Sequence, residues 1–475
     1  MDSKEKSISL LIFLSLMSIS TSLQYQTLVI HFLPMPQSLN WTIQKEARII
    51  PTTESEAETT LLSVDLHHVD NLSPSALSST PEALFNLRLE RDSVRVSMLS
   101  NMVARGGRHA RPRKEGDFSS PVTSGFAQGS GEYLARIGIG TPARYFSMVL
   151  DTGSDVSWVQ CAPCQKCYNQ TDPIFISSKS KSFASVACGS PLCRLLYSPS
   201  CSTRKKCQYE VNYGDGSFTI GELAIETLRF ARSHVNNFAL GCGHDNEGLF
   251  MGASGLLGLG RGKLSFPIQT GHRFGGKFSY CLVDRFASSN PSWIIFGTSS
   301  ISRNVVFTPM LTNPILGSFY YVGLNGISVG GVRVPGITSS LFRLNRSGNG
   351  GVIIDSGTSV TRLVLPAYIA LRDAFRAGAS NLKSAQNLLL FDTCYNFTGK
   401  SEVMVPTVVL HFTNVDILLP ASNYLIPVDS KGRFCFAFAG TSDGFSIIGN
   451  IQQQGFEVVF DLETSRVGFA PHGCA

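Results

Sequence analysis

Val149-Leu150-Asp151-Thr152-Gly153-Ser154 and Ile353-Ile354-Asp355-Ser356-Gly357-Thr358 are one motif written twice. Each copy is an apolar pair, an Asp, a hydroxyl residue, a Gly and a second hydroxyl residue. About a hundred residues after each copy comes an apolar-apolar-Gly element, Leu256-Leu257-Gly258 and then Ile447-Ile448-Gly449. One Asp-Thr/Ser-Gly triplet arises by chance roughly a few tenths of a time in a chain this long. Two copies with matching companions imply an internal duplication. The chain therefore reads as two related halves, with a boundary near Pro309 to Pro314.

The residue types follow from what such a turn must do. An apolar strand drives its terminal Asp into the interior. Glycine lets the backbone turn tightly and brings an N–H to the carboxylate. Thr152 and Ser154, and Ser356 and Thr358 in the second copy, supply hydroxyls for the carboxylate oxygens or for the opposite turn. If the halves pack about a pseudo-twofold axis, Asp151 and Asp355 converge. Two carboxylates at close range titrate in two macroscopic steps and keep one proton between them. Such a pair can activate a water with its ionised member and donate to a carbonyl with its protonated one.

From Gly125 onward, short β-branched and aromatic runs alternate with Gly-rich turns, as in Tyr133-Leu-Ala-Arg-Ile-Gly-Ile-Gly140 and Phe456-Glu-Val-Val-Phe460. That texture predicts a mostly β structure. Leu365 to Gly378 is the best helical stretch, with Gly378 as its stop.

The 475 residues exceed one compact core, and 43% apolar with 16% charged residues describe a globular chain. The net charge of +6 includes a short run, Arg105, Arg108, Arg111, Arg113 and Lys114, so it does not signal nucleic acid. Lys4 and Lys6 followed by apolar Ile8 to Ile19 read as a signal peptide over residues 1–22. Residues 23–118 lack cysteine and contain a helical stretch, Ala83 to Met102, with an Arg/Glu face. They read as a propeptide with a basic processing end. Residues 119–310 and 311–475 are then the first and second lobes. No apolar run is long enough for a transmembrane anchor. Eight of the 12 cysteines lie between Cys161 and Cys242, which suits an oxidising compartment. Cys161-X-X-Cys164-X-X-Cys167 has zinc-like spacing, but a secretory leader and an even count favour disulfides. Spacing leaves the pairings open. No metal and no cofactor are expected. Asn40, Asn71, Asn169, Asn345 and Asn396 stand in glycosylation acceptors.

From about Gly129 to the C-terminus these motifs resemble the pepsin-like aspartic peptidases. Asp151-Thr-Gly-Ser-Asp-Val-Ser-Trp158 resembles the first-lobe motif. Tyr213-Gly214-Asp215-Gly216-Ser217 resembles the flap hairpin over the cleft, with Trp158 beneath it; read by itself, Asp-Gly is a hairpin signal. The cysteine-rich insertion, Gly241-Cys-Gly-His-Asp-Asn-Glu-Gly-Leu-Phe250 and Phe278-Ser-Tyr-Cys-Leu-Val-Asp284 narrow the resemblance to the nepenthesin type. Gly129-Ser-Gly-Glu-Tyr133 and the Gln452–Gln454 run look most like its guard-cell branch.

The resemblance implies an all-β, bilobal pepsin-like fold with a few short helices. It implies an aspartic endopeptidase with Asp151 and Asp355 as the dyad, supported by Thr152, Gly153, Ser154, Ser356, Gly357 and Thr358. It also implies the disulfides Cys161–Cys164, Cys167–Cys242, Cys188–Cys207, Cys193–Cys201, Cys281–Cys474 and Cys394–Cys435. Expected partners are protein or peptide substrates and pepstatin-type inhibitors, acting on a monomer. The expected route is secretory, to the apoplast, with the ER or vacuole as alternatives. The rival reading is a silent, xylanase-inhibitor-like binding protein on the same fold.

Overall fold

A computed structural model describes residues 23–31, 62–68, 80–104, 133–212, 218–230, 233–248, 252–283, 292–297, 304–471 and 474. The expected signal peptide, Asn40, Asn71, the basic run and the expected flap tip at 213–217 lie outside the described residues.

The elements that position the site are few. The N-terminal segment contributes β1 (Tyr25–Val29), β2 (Leu62–His68) and α1 (Pro81–Ala104). The first lobe contributes β3 (Tyr133–Ile139), β4 (Arg144–Asp151), β5 (Trp158–Ala162), β6 (Cys207–Asn212), β7 (Phe218–Phe230), β8 (Ser233–Glu247), β9 (Gly255–Gly258), β10 (Lys277–Cys281) and β11 (Ser292–Phe296). The second contributes β12 (Val306–Leu311), β13 (Val352–Ile354), β14 (Thr361–Val364), α2 (Leu365–Gly378), β15 (Glu402–Pro406), β16 (Phe438–Thr441), β17 (Ser446–Ile448), β18 (Glu457–Asp461) and β19 (Arg466–Ala470).

The duplication is visible as strand pairing. In the first lobe β9 runs parallel to β4, with Leu257 opposite Leu150 and Gly258 opposite Asp151. In the second β17 runs parallel to β13, with Ile447 opposite Ile353. The apolar-apolar-Gly elements are thus the strands that brace each Asp-bearing strand. The strand following each turn then packs antiparallel on the brace: β5 on β9, and β14 on β17 through Arg362 and Ile447.

A long sheet joins the lobes, in the order β12, β19, β18, β10, β11, β2, β3. Its centre pairs β10 of one half with β18 of the other. There Phe278 stacks on Phe460 at 4.7 Å, and Tyr320 meets Phe460 edge-on at 4.4 Å. One buried apolar cluster runs through both halves. The N-terminal segment is part of this frame. β2 fills a slot between β11 and β3, and β1 pairs with β15 on the second lobe.

The cysteine pairing implied by the resemblance is corrected in four of its six bonds. Cys161 bonds Cys242, Cys164 bonds Cys167, Cys188 bonds Cys201 and Cys193 bonds Cys207. The proposed Cys161–Cys164, Cys167–Cys242, Cys188–Cys207 and Cys193–Cys201 bonds do not form. The reason is strand placement. Cys161 lies near the end of β5, which runs parallel to β8, and its Cα is 5.3 Å from that of Cys242. Cys164 and Cys167 are left together in the loop beyond. Cys193 and Cys207 are both in the core, whereas Cys188 and Cys201 are not. The structure joins Cys281 to Cys474 and Cys394 to Cys435.

Candidate active site

Asp151 and Asp355 come together at the ends of β4 and β13, both buried. Between them lies a group absent from the sequence expectations, the guanidinium of Arg95 from α1. Its Nη2 donates to Asp151 Oδ1 at 2.5 Å and to Asp355 Oδ1 at 2.7 Å, and its Nε donates to Asp355 Oδ2 at 2.7 Å. One nitrogen therefore touches both carboxylates. The glycines of the two turns make room for it. A Cβ on Gly357 would sit 2.3 Å from Arg95 Cζ, and one on Gly153 would sit 2.7 Å from Nη2.

Each turn then supports its own carboxylate. Gly153 N–H donates to Asp151 Oδ1 at 2.9 Å, and Gly357 N–H reaches Asp355 Oδ1 at 3.4 Å. Thr358 Oγ1 donates to Asp355 Oδ2 at 2.5 Å. The turns also hold each other: Ser356 N–H donates to Thr152 Oγ1 at 3.0 Å, and Thr152 Oγ1 lies 3.2 Å from Ser356 Oγ. Ser154 is at the same motif position as Thr358, yet its buried Oγ has no partner among the described residues. Burial pushes the Asp355 carboxyl up, but the charge and hydrogen bonds of Arg95, with Thr358, outweigh it and hold the group below its ordinary value.

Behind Asp355 the Gln452–Gln454 run is buried and structural. Gln453 Nε2 donates to the carbonyls of Asp355 (3.2 Å) and Ile448 (2.9 Å), and Gln452 Nε2 to those of Asn423 and Ala437. Trp158 is fully buried, edge-on to Tyr168, in the apolar cluster that also holds Tyr209. The expected flap residues Tyr213, Gly214 and Asp215 lie outside the described residues. The strands on either side are described, and β6 and β7 pair antiparallel up to Asn212 opposite Phe218. Of the glycosylation candidates that are described, Asn169 and Asn345 are exposed and Asn396 is half-buried.

Helix α1 lies along the cleft with its arginine face inward. Arg88, Arg91, Asp92 and Arg95 are all at most 4% exposed. Phe85 and Leu89 pack with Val360, Phe391, Ile426 and Val428 of the second lobe. Val96, Leu99 and Val103 pack with Trp158, Tyr209 and Phe319 on the other side of Arg95. Each such side chain contributes about 1.5–3 kcal/mol relative to exposure, before ordering costs. Asp92 Oδ1 accepts from Ser359 N–H and from Val360 N–H (3.2 Å), and its Oδ2 accepts from Arg362 Nη2 at 2.5 Å. Sequence reasoning placed this helix but missed Arg95, Asp92 and Arg362. The available signal was the spacing Arg88, Arg91, Arg95, which puts three cations on one face of a helix.

Arranged in this way, the two carboxylates can share a proton and hold a small polar group between them. With Arg95 in place that position is filled.

Two family models match the chain, Xylanase inhibitor N-terminal over residues 133–298 and Xylanase inhibitor C-terminal over residues 319–471. The chain is 59% identical to Aspartyl protease family protein 2 of Arabidopsis thaliana over 98% of its length and 97% of the relative's. It is 46% identical to Protein ASPARTIC PROTEASE IN GUARD CELL 2 of Arabidopsis thaliana (88% and 89%) and 40% identical to aspartic proteinase nepenthesin-1 of Nepenthes gracilis (88% and 92%). Among solved structures, edgp superposes with a TM-score of 0.62 at 23% identity, over 71% of this chain and 91% of that one, which speaks to the fold. A mostly β bilobal frame, a duplicated Asp-bearing turn and these relatives place the chain in the pepsin-like aspartyl protease family of plants.

Proposed function

We propose that this protein is an aspartic endopeptidase, made with residues 23–118 as an inhibitory propeptide and active at acid pH. The observation that carries this reading is the single guanidinium, on a helix of the N-terminal segment, that bridges Asp151 and Asp355. An arginine so placed makes sense if the position between the carboxylates is the reactive one.

Once α1 leaves, a water takes the place of Arg95 Nη2, and the dyad keeps one proton. The ionised carboxylate takes a proton from the water as it attacks the scissile carbonyl carbon. The protonated carboxylate donates to the carbonyl oxygen. The resulting tetrahedral diol then collapses with protonation of the leaving amine. No acyl-enzyme forms. Each proton transfer supplies about 10²–10⁴-fold. Hydrogen bonds from Gly153, Gly357 and Thr358 stabilise the charge that moves between the carboxylates.

The same reading takes the disulfide-rich body to the secretory pathway and the apoplast, as a monomer sensitive to pepstatin. Glycans would sit on the exposed Asn169 and Asn345. Cleavage releasing the propeptide falls in the basic stretch near residues 105–125. The test is digestion of a denatured protein near pH 4, with and without pepstatin, before and after processing. Activity maximal at pH 8 or above, or full activity without processing, would sink it. The family models' descriptions favour one rival, a silent xylanase inhibitor, so a xylanase-inhibition assay belongs beside the digestion.

A further inference from the structure

We propose that the second lobe carries a carboxylate-accepting subsite, built from Arg362 and the backbone amides of Ser359 and Val360, that selects substrates with an Asp or Glu side chain near the cleaved bond. The proposal rests on the peptidase reading and adds a substrate class to it.

The site is already seen holding a carboxylate. Asp92, 2% exposed, takes both amides on one oxygen and the Arg362 guanidinium on the other. Arg362 is itself 5% exposed. It is held in the middle of β14, opposite Ala439 on β16 and Ile447 on β17, so its Cα is fixed on both sides. Its other described contact is Nη1 to the carbonyl of Val360 at 3.0 Å. The one carboxylate paired with it among the described residues thus belongs to the segment that leaves. Departure of α1 takes the carboxylate from a cation and two amides at once, and a substrate that covers them again without a carboxylate buries a charge unpaired, which is costly.

Asp92 and Arg95 are three residues apart on a helix, so about 4.5 Å along its axis. An extended peptide advances about 3.3 Å per residue. A substrate lying where α1 lay, with its scissile bond at Arg95, brings a side chain to the Asp92 position about one to three residues from that bond. A carboxylate there restores the amide and guanidinium contacts together, whereas an amide side chain restores them without the charge. Beside the site, Val360, Phe391, Ile426 and Val428 form the apolar wall that Phe85 and Leu89 now cover. An acidic residue flanked by an aliphatic or aromatic one is therefore the favoured pattern. Among the described residues the first lobe shows no counterpart. Asp155, four residues after Asp151, already accepts from Gly262 N–H and Ser318 Oγ of the body itself.

The test uses processed enzyme at about pH 5 and peptide pairs that differ only as Glu against Gln, stepped through three positions on each side of a fixed cleavable bond. At one position the Glu peptide should be cleaved at least about tenfold better in kcat/KM. Arg362→Gln should bring that ratio close to one, and Arg362→Lys should keep part of it. A ratio under twofold at every position, or a preference that survives in Arg362→Gln, overturns the subsite. If no peptide is cleaved, the peptidase reading fails, and a second measurement decides the subsite. A labelled peptide of residues 81–104 should bind the processed chain at least about tenfold more weakly with Asp92→Asn. Unchanged binding would overturn it.

Discussion

The two Asp-bearing turns share a motif and a brace but are completed by different parts of the molecule. After Asp151 the chain supplies its own carboxylate at the fourth position, Asp155, which accepts from Gly262 N–H and Ser318 Oγ. After Asp355 the fourth position is Ser359, and the carboxylate that ties down its amide comes from Asp92, on the helix of the N-terminal segment. Arg95 repeats the bias, with two hydrogen bonds to Asp355 and one to Asp151. The first turn is finished from within. The second is finished by the N-terminal segment, so taking α1 away should change the second lobe more than the first.

The comparison breaks most decisively at the carboxylates. Asp151→Asn or Asp355→Asn should each lower proteolysis by about 10³-fold or more, measured on processed protein. An active Asp151→Asn enzyme would show that the first turn is only scaffold. Next in size is Arg95→Met, which leaves two buried carboxylates without their counter-ion. Breaking a buried pair costs about 3–5 kcal/mol, so the uncut chain should show pepstatin-sensitive activity while wild type does not. Silence from an uncut, folded Arg95→Met chain would show that apolar packing alone closes the cleft.

Acid should act on the segment in two stages. Burial holds His67 on β2 below its ordinary 6.5. A lowered histidine favours the docked, neutral form, and that contribution fades as pH falls below about 6.5. Asp355 is held below 3.8, so the Arg95 bridge contributes above 3.8 and is lost only as pH falls through the lower, docked value. Hydrogen exchange followed from pH 7 to 3 should therefore show β2 loosening before the middle of α1. Simultaneous loosening would refute the order. The finest test compares matched hydroxyls. Thr358→Val removes a hydrogen bond to a charged group worth about 1.5–3 kcal/mol, so the acid limb of the uncut chain's stability should move up in pH. Ser154→Ala removes a hydroxyl with no described partner and should change little.

Much of this was legible in the sequence because it is local or repeated. The duplicated hexapeptide gave away the bilobal frame. Leu256-Leu257-Gly258 and Ile447-Ile448-Gly449 gave away the bracing strands, and α2 matches the Leu365–Gly378 reading. What stayed hidden depends on contacts between distant segments. Two of the four changed disulfides follow from the parallel pairing of β5 with β8, which sets Cys161 beside Cys242, and the other two from the shared burial of Cys193 and Cys207; spacing encodes neither. Arg95 and Asp92 look, in sequence, like ordinary polar positions of a charged helix. Only the cleft into which they dock makes them part of the site.

The strand β2 has a consequence for how the protein comes to exist. Residues 62–68 are made early, yet their neighbours on one side, residues 292–296, are made late. The early strand must wait through most of the first lobe's synthesis before its slot closes around it, a slow, high-separation pairing. The N-terminal segment is thereby a gauge of completion. A chain that stalls before residue 296 lacks one side of the slot for β2 and keeps an open sheet edge. A catalytic body expressed without the segment begins life with the same gap, and should be recovered in lower yield than the body obtained by cutting the whole chain after it has folded.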